Sequence, residues 1–219
     1  MQGVAIVAII VCLVIFAVSR ARHRRIVVSG LVVNLVSDRD HARDAERIMV
    51  EADERMIKLL DHLRVEYKVG ATDAECAGAL CVRAHRAAAY QCVSHLLRNF
   101  NYESVYEHRP TPGRNVAYSL NKGASIMLCL RDDDAPGGIV DINTLMFVIL
   151  HEAAHIANYD NWGHGPRFWS VFKFVLNEAR VCGIYQPVDY ARKPVKYCGF
   201  GLYHNPLFDT RIEGLDGTQ

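Results

Sequence analysis

The sequence predicts an α+β fold, and three observations predict it. Apolar residues recur at helical spacing between Asp38 and about Tyr67, the compact apolar run Ser125 to Leu130 has the make-up of a strand, and two further helical stretches meet at a glycine-bracketed break near residue 163. Of the 219 residues, 51% are apolar and 22% charged, so a packed core is expected rather than disorder.

Taken in order, the chain opens on an uncharged stretch from Met1 to Ser19, unbroken in apolar character from Val4 to Val18. As a helix, a stretch of that length rises about 28 Å, close to the roughly 30 Å of a bilayer's hydrocarbon core. The basic cluster of Arg20, Arg22, Arg24 and Arg25 follows the apolar run, the reverse of the order in a cleaved secretory signal. The reading is an uncleaved single-pass transmembrane anchor over residues 1–19. By the positive-inside rule the soluble part then lies on the cytoplasmic, or virion-interior, side. Residues 20–37 read as a basic juxtamembrane segment and short strand, with Ile26 to Val36 either strand or chain packed near the membrane surface. That stretch is too short and too interrupted by Ser29, Gly30 and Asn34 to span a membrane.

Residues 38–100 read as a helical region. Ile48, Met49, Ala52, Met56, Leu59, Leu60 and Leu63 line one face of a first helix that Gly70 ends. Thr72 and Glu75 then form a capping box for a second helix ending near Phe100. Residues 101–205 form the expected core domain. Tyr102 to His108 alternates loosely, Arg109 to Gly113 is a turn-rich break, and Ser125 to Leu130 is a strand. Asp132, Asp133 and Asp134 lack the alternating ligands and distal Glu of a calcium loop and read as a solvated turn. Asp141 is placed to cap a helix through His155, and Pro166 opens another that stops at Gly183. The proline-, tyrosine- and glycine-bearing segment from Ile184 reads as extended chain on the domain, with residues 206–219 as a tail.

Charge and cysteine usage exclude several classes. From residue 26 onward the chain carries 21 basic and 24 acidic residues, so its net charge gives no broadly basic nucleic-acid footprint. The seven cysteines are odd in number, scattered and without a CxxC pair, which argues against a zinc ribbon or a small disulfide scaffold. Most read as buried reduced thiols; Cys182 and Cys198, flanking one loop, are the first pair to examine for a disulfide.

The residues that carry chemistry are His151-Glu152-Ala153-Ala154-His155. Two histidines four apart on a helix project from one face, so both imidazoles can reach one ion, while Glu152 lies beside them, free to take a proton from a water on the metal. His164, between Gly163 and Gly165, is placed to return as a third ligand. Three protein ligands with an open fourth position mark a catalytic zinc site rather than a structural one. Tyr159, Tyr185, Tyr190 and Tyr197 are candidate donors to an oxyanion, each with core packing as its default role; His23, His41, His62, His85, His95, His108 and His204 read as surface or loop residues.

Ser119 to Gly123 with the following strand to Arg131, then the HEAAH helix, then Gly163 to Phe168, together resemble the WLM and SprT-like metallopeptidases over roughly residues 115–200. The resemblance implies a small zincin-like metallopeptidase domain with a zinc cofactor, His151, His155 and His164 as its ligands, Glu152 as general base, and a protein as its substrate. The group often acts on proteins crosslinked to DNA. Here the longer His155–His164 spacing is nearer to SprT-like members, and the N-terminal apolar span is a departure, so the DNA-directed role is not carried over. A membrane-anchored form of this kind looks at home in large DNA viruses. The competing class is a membrane-tethered structural or assembly protein, such as a minor virion component, whose zinc site serves stability. Glu152 favours the enzyme, because a structural site has no need of that carboxylate. Nucleic acid is not expected as a direct ligand.

Overall fold

A computed structural model describes residues 23–28, 30–36, 40–67, 84–111 and 115–215. The expected anchor over 1–19, the capping box at Thr72 and Glu75, and Cys12, Cys76 and Cys81 lie outside the described residues. Among the described residues, no helix is long and apolar enough to cross a membrane.

The architecture is mixed α+β. A five-stranded sheet runs in the order β1-β2-β3-β5-β4, from strands β1 (His23–Val28), β2 (Leu31–Val36), β3 (Val105–Glu107), β4 (Ala117–Leu120) and β5 (Ser125–Leu128). The outer pairs β1/β2 and β4/β5 are antiparallel hairpins, whereas β3 pairs parallel with both β2 and β5. Helices α1 (Ala42–Glu66) and α2 (Ala84–Asn99) fall between β2 and β3 in the chain, as a parallel crossover requires. Helices α3 (Ile142–Ala157) and α4 (Pro166–Val181) follow the sheet, and a small hairpin of β6 (Val195–Tyr197) and β7 (Phe200–Leu202) completes the fold.

The first helix is amphipathic as its spacing predicts: Ala45, Ile48, Met49, Ala52, Met56, Leu59, Leu60 and Leu63 are buried. By contrast, α3 is apolar on every side. Leu145 to Leu150 are all buried, which fits a helix packed against α1, α2, α4 and β4 at once. Asp141 caps it as expected, its carboxylate accepting from the Thr144 backbone N–H at 2.8 Å.

Three expectations are corrected. Ile26 to Val36 is not one strand but parts of two, because Gly30, at φ +84°, lets the chain reverse and pair Arg25 with Asn34. Arg24 and Arg25, two of the four clustered arginines, lie within β1, where Arg25 meets Glu103 at 3.1 Å. Secondly, the disulfide joins Cys198 to Cys129, 69 residues earlier; Cys182 and Cys92 are free thiols. Proximity in sequence did not decide that pairing: the β6–β7 hairpin folds back over the end of β5, and Tyr197 donates its hydroxyl to the Cys129 carbonyl at 2.8 Å. Thirdly, the acidic turn is only partly solvated. Asp132 is buried and accepts the backbone N–H of Cys198, fixing that hairpin from a second point.

One buried acid has a consequence for stability. Asp53, on the inner face of α1, has a carboxylate oxygen without a hydrogen-bond partner among the described residues, and burial pushes its carboxyl up to about 7. The unfolded chain ionises near 3.8, so between about pH 4 and pH 7 the folded state binds more protons and stability falls as pH rises. Asp53→Asn removes that dependence. In urea unfolding, its advantage over the wild type should grow by roughly 3 kcal/mol from pH 5 to pH 8. Parallel curves at both pH values would contradict it.

Candidate metal centre

The HEAAH segment occupies the last turns of α3, with His151 and His155 on one side of the helix. A short loop follows, in which Gly163 takes φ +76°, open to a residue without Cβ, and His164 then turns back toward the helix. The Nε2 atom of His164 lies 3.0 Å from that of His151 and 3.1 Å from that of His155. Among the described residues this is the one group of three such side chains whose donor atoms converge.

The donor set fits zinc. With Zn–N bonds of about 2.0–2.1 Å, tetrahedral ligands stand about 3.3 Å apart, and two of the three separations here are within a few tenths of that. The rings are also electrically ready. Burial, then the neighbouring histidines, holds His151 down to about 3; burial, then His164 and Lys122, holds His155 down to about 4. Burial lowers His164 as well. All three are neutral at ordinary pH, the form in which imidazole offers a lone pair to a metal.

Glu152 is buried beside this cluster. Burial pushes its carboxyl up to about 7, and Ser119 opposes the shift through its hydroxyl and its backbone. Ser119 belongs to β4, an edge strand of the sheet among the described residues, so that strand and the Glu152 carboxylate are in direct contact.

The bed under the three imidazoles is aromatic. Phe168, in the first turn of α4 and fully buried, has its ring centroid 5.0 Å from that of His151, 4.4 Å from His155 and 4.7 Å from His164. Phe172 adds a second contact to His151, at 5.1 Å. Gly165 and Pro166 start α4 abruptly, which lets a residue of its first turn reach all three rings. Phe168→Ala should cost about 3–5 kcal/mol in urea unfolding and weaken zinc affinity, because one cavity opens behind every ligand. An unchanged affinity in chelator competition would show that the rings hold their places without it.

The three histidines and Glu152 stand at one side of a cleft of about 1020 Å³. Its walls include Val116 and then Ala117 to Ser119 of β4, Phe147 and Val148 from α3, Trp162 from the loop that carries His164, and Tyr197 to Phe200 with Leu202 from the β6–β7 hairpin. Of the four tyrosines proposed as oxyanion donors, Tyr197 alone lines this cleft, and its hydroxyl is committed to the Cys129 carbonyl. Tyr159 stacks on His95, Tyr185 accepts from Asn205, and Tyr190 packs against Phe147. Sequence reasoning missed Tyr118. It lines the cleft, half-buried against His108, and burial raises its hydroxyl so that it stays a donor. The alternation from Val116 to Leu120 ahead of the Asn-Lys-Gly turn was the available signal, a hairpin partner for the strand at 125.

Three other histidines take part in contacts elsewhere. His62 binds Glu178 at 2.8 Å, His23 meets the Glu107 carbonyl, and His204 contacts Asp209.

A helix with two histidines and a buried glutamate, joined by a short loop to a third histidine, defines a metallopeptidase-like class of site. Residues 82–189 match the family model of the WLM domain. The chain is similar to the uncharacterized protein R325 of Acanthamoeba polyphaga mimivirus, 38% identical over 44% of this chain and 47% of that protein. It is also similar to the uncharacterized protein 136R of Invertebrate iridescent virus 6, 37% identical over 32% of this chain and 38% of that one. The uncharacterized protein 042R of Invertebrate iridescent virus 3 is 42% identical over 37% of this chain and 48% of its own length. The chain thus spans about half or less of the curated relatives it matches. No solved structure matches it.

Proposed function

We propose that the protein is a zinc-dependent metallopeptidase that hydrolyses peptide bonds in a protein substrate, with Glu152 as general base. The observation that carries this reading is the convergence of three neutral imidazoles beside a buried carboxylate, at the wall of an open cleft. A purely structural centre closes its coordination with a fourth protein ligand and needs no acid or base. The association of WLM domains with protease activity and metal adds to it.

Bound zinc supplies a Lewis acid that polarises a carbonyl and lowers the pKa of water toward neutrality. The chain's own residues do the rest. Ser119 holds the Glu152 carboxylate in place, and that carboxylate takes the proton of the attacking water and returns it to the leaving amine nitrogen. Among the described residues β4 is an edge strand beside Glu152, suited to an extended peptide laid along it.

A tether formed by residues 1–19, with the domain on the cytoplasmic or virion-interior side, completes the proposal; the uncharged apolar run and the basic cluster that follows it support that setting. The test is turnover of an unfolded protein by the zinc-loaded chain. Cleavage that a chelator stops and added zinc restores is expected. Zinc-loaded protein that cleaves no unfolded substrate would turn the reading toward a structural or assembly role.

A further inference from the structure

Lys122 sits at the centre of a strained turn and is buried, an unusual place for an ammonium group. Asn121 at φ +45°, Lys122 at φ +54° and Gly123 at φ +107° make three successive left-handed residues between β4 and β5. Asn and Gly tolerate this conformation, but a lysine side chain disfavours it, so surrounding structure must hold Lys122 there. Part of that enforcement is visible at Gly123, where a Cβ would stand 2.5 Å from the Asn99 carbonyl oxygen at the end of α2. The turn is pressed against α2 and drives the Lys122 side chain under the metal centre.

There its Nζ donates to three backbone carbonyls: His155 at 3.3 Å, Asn158 at 3.0 Å and Asn161 at 2.5 Å. The first belongs to a metal-ligand candidate in the last turn of α3, and the third lies three residues before His164. Carbonyls at a helix C-terminus lack intrahelical partners and carry the negative end of the helix dipole, so a cation there is favoured. The exposed Trp162 ring covers the same ammonium, with Nζ 4.7 Å from its centroid.

We infer that Lys122 is a positioning residue of the metal centre, one ammonium that locks the helix bearing His151 and His155 to the loop bearing His164. This rests on the three-histidine reading and deepens it. The third histidine sits on an exposed loop between α3 and α4, and the ammonium ties that loop to the end of the helix that bears the first two. Removing the ammonium leaves three carbonyls competing for solvent and frees the loop to move His164 away.

The experiment compares the wild type, Lys122→Met and Lys122→Arg by chelator competition for zinc and by the visible spectrum of the cobalt-loaded proteins. Lys122→Met should bind zinc 10- to 100-fold more weakly, the range for losing a group that orients metal ligands. Its cobalt bands should lose the intensity of a four-coordinate site, which a loss of fold stability alone would not cause. Lys122→Arg keeps the charge and donors and should recover most of the affinity. It also serves as the decisive variant if the methionine form does not fold, since an arginine form tenfold or more weaker than wild type would overturn the inference. Wild-type affinity and spectrum in Lys122→Met would overturn it too, with the three-histidine site left standing. If wild-type protein binds neither zinc nor cobalt at one ion per chain, the site reading fails and the inference goes with it.

Discussion

Glu152→Gln is expected to lower kcat on an unfolded protein substrate by 10²- to 10⁴-fold while zinc stays bound at one ion per chain. That range corresponds to about 3–5 kcal/mol of transition-state stabilisation. The substitution is nearly isosteric, and the retained amide oxygen can still accept from Ser119, so the buried position on α3 keeps its packing. What is lost is a group able to take a proton beside the three histidines. Activity, urea stability and zinc content measured on one preparation separate these effects. A Glu152→Gln protein that retains more than a tenth of the activity would exclude Glu152 as the general base.

Breaking the Cys129–Cys198 disulfide is expected to have a large effect on stability. The closed loop of 69 residues corresponds to a chain-entropy term of about 4 kcal/mol, so Cys198→Ser should lower unfolding free energy by several kcal/mol. The functional consequence is local. Tyr197, Cys198, Gly199 and Phe200 form one wall of the cleft, and the bond ties that wall to the end of β5. With the bond gone, the hairpin retains the Asp132 contact to the Cys198 backbone and the Tyr197 hydrogen bond. The expectation is therefore a rise in KM larger than the fall in kcat, since the ligands and Glu152 sit on α3 and its following loop. Zinc affinity should stay within a few-fold of the wild type. A collapse of zinc affinity in Cys198→Ser would show that the hairpin supports the metal centre itself.

The parts of this molecule that were legible in the sequence are those that local spacing determines. Helical periodicity placed α1, the Asp141 cap and the Gly163–Pro166 break, because each depends on residues a few positions apart. The same holds for His151 and His155, one helical turn apart. His164 was legible for a different reason: two glycines around a histidine just beyond the helix leave it able to turn back.

Long-range closure was not legible. The partner of Cys198 lies 69 residues away and was brought to it by the return of a hairpin that carries little periodic signal. Strand β4 is four residues long and half-buried, so its alternation is brief, and with it Tyr118 and Ser119 went unassigned. Lys122 reads in the sequence as an ordinary turn residue. Its burial follows from the packing of that turn between α2 and α3, which no local pattern encodes.

The account rests on the three imidazoles holding one ion, and zinc affinity in His164→Ala beside the wild type tests that most directly. The wild type should hold one zinc per chain, and His164→Ala should lose affinity by at least two orders of magnitude while its urea unfolding without metal changes little, because His164 is exposed. A His164→Ala protein that binds zinc as tightly as the wild type would contradict the three-histidine centre.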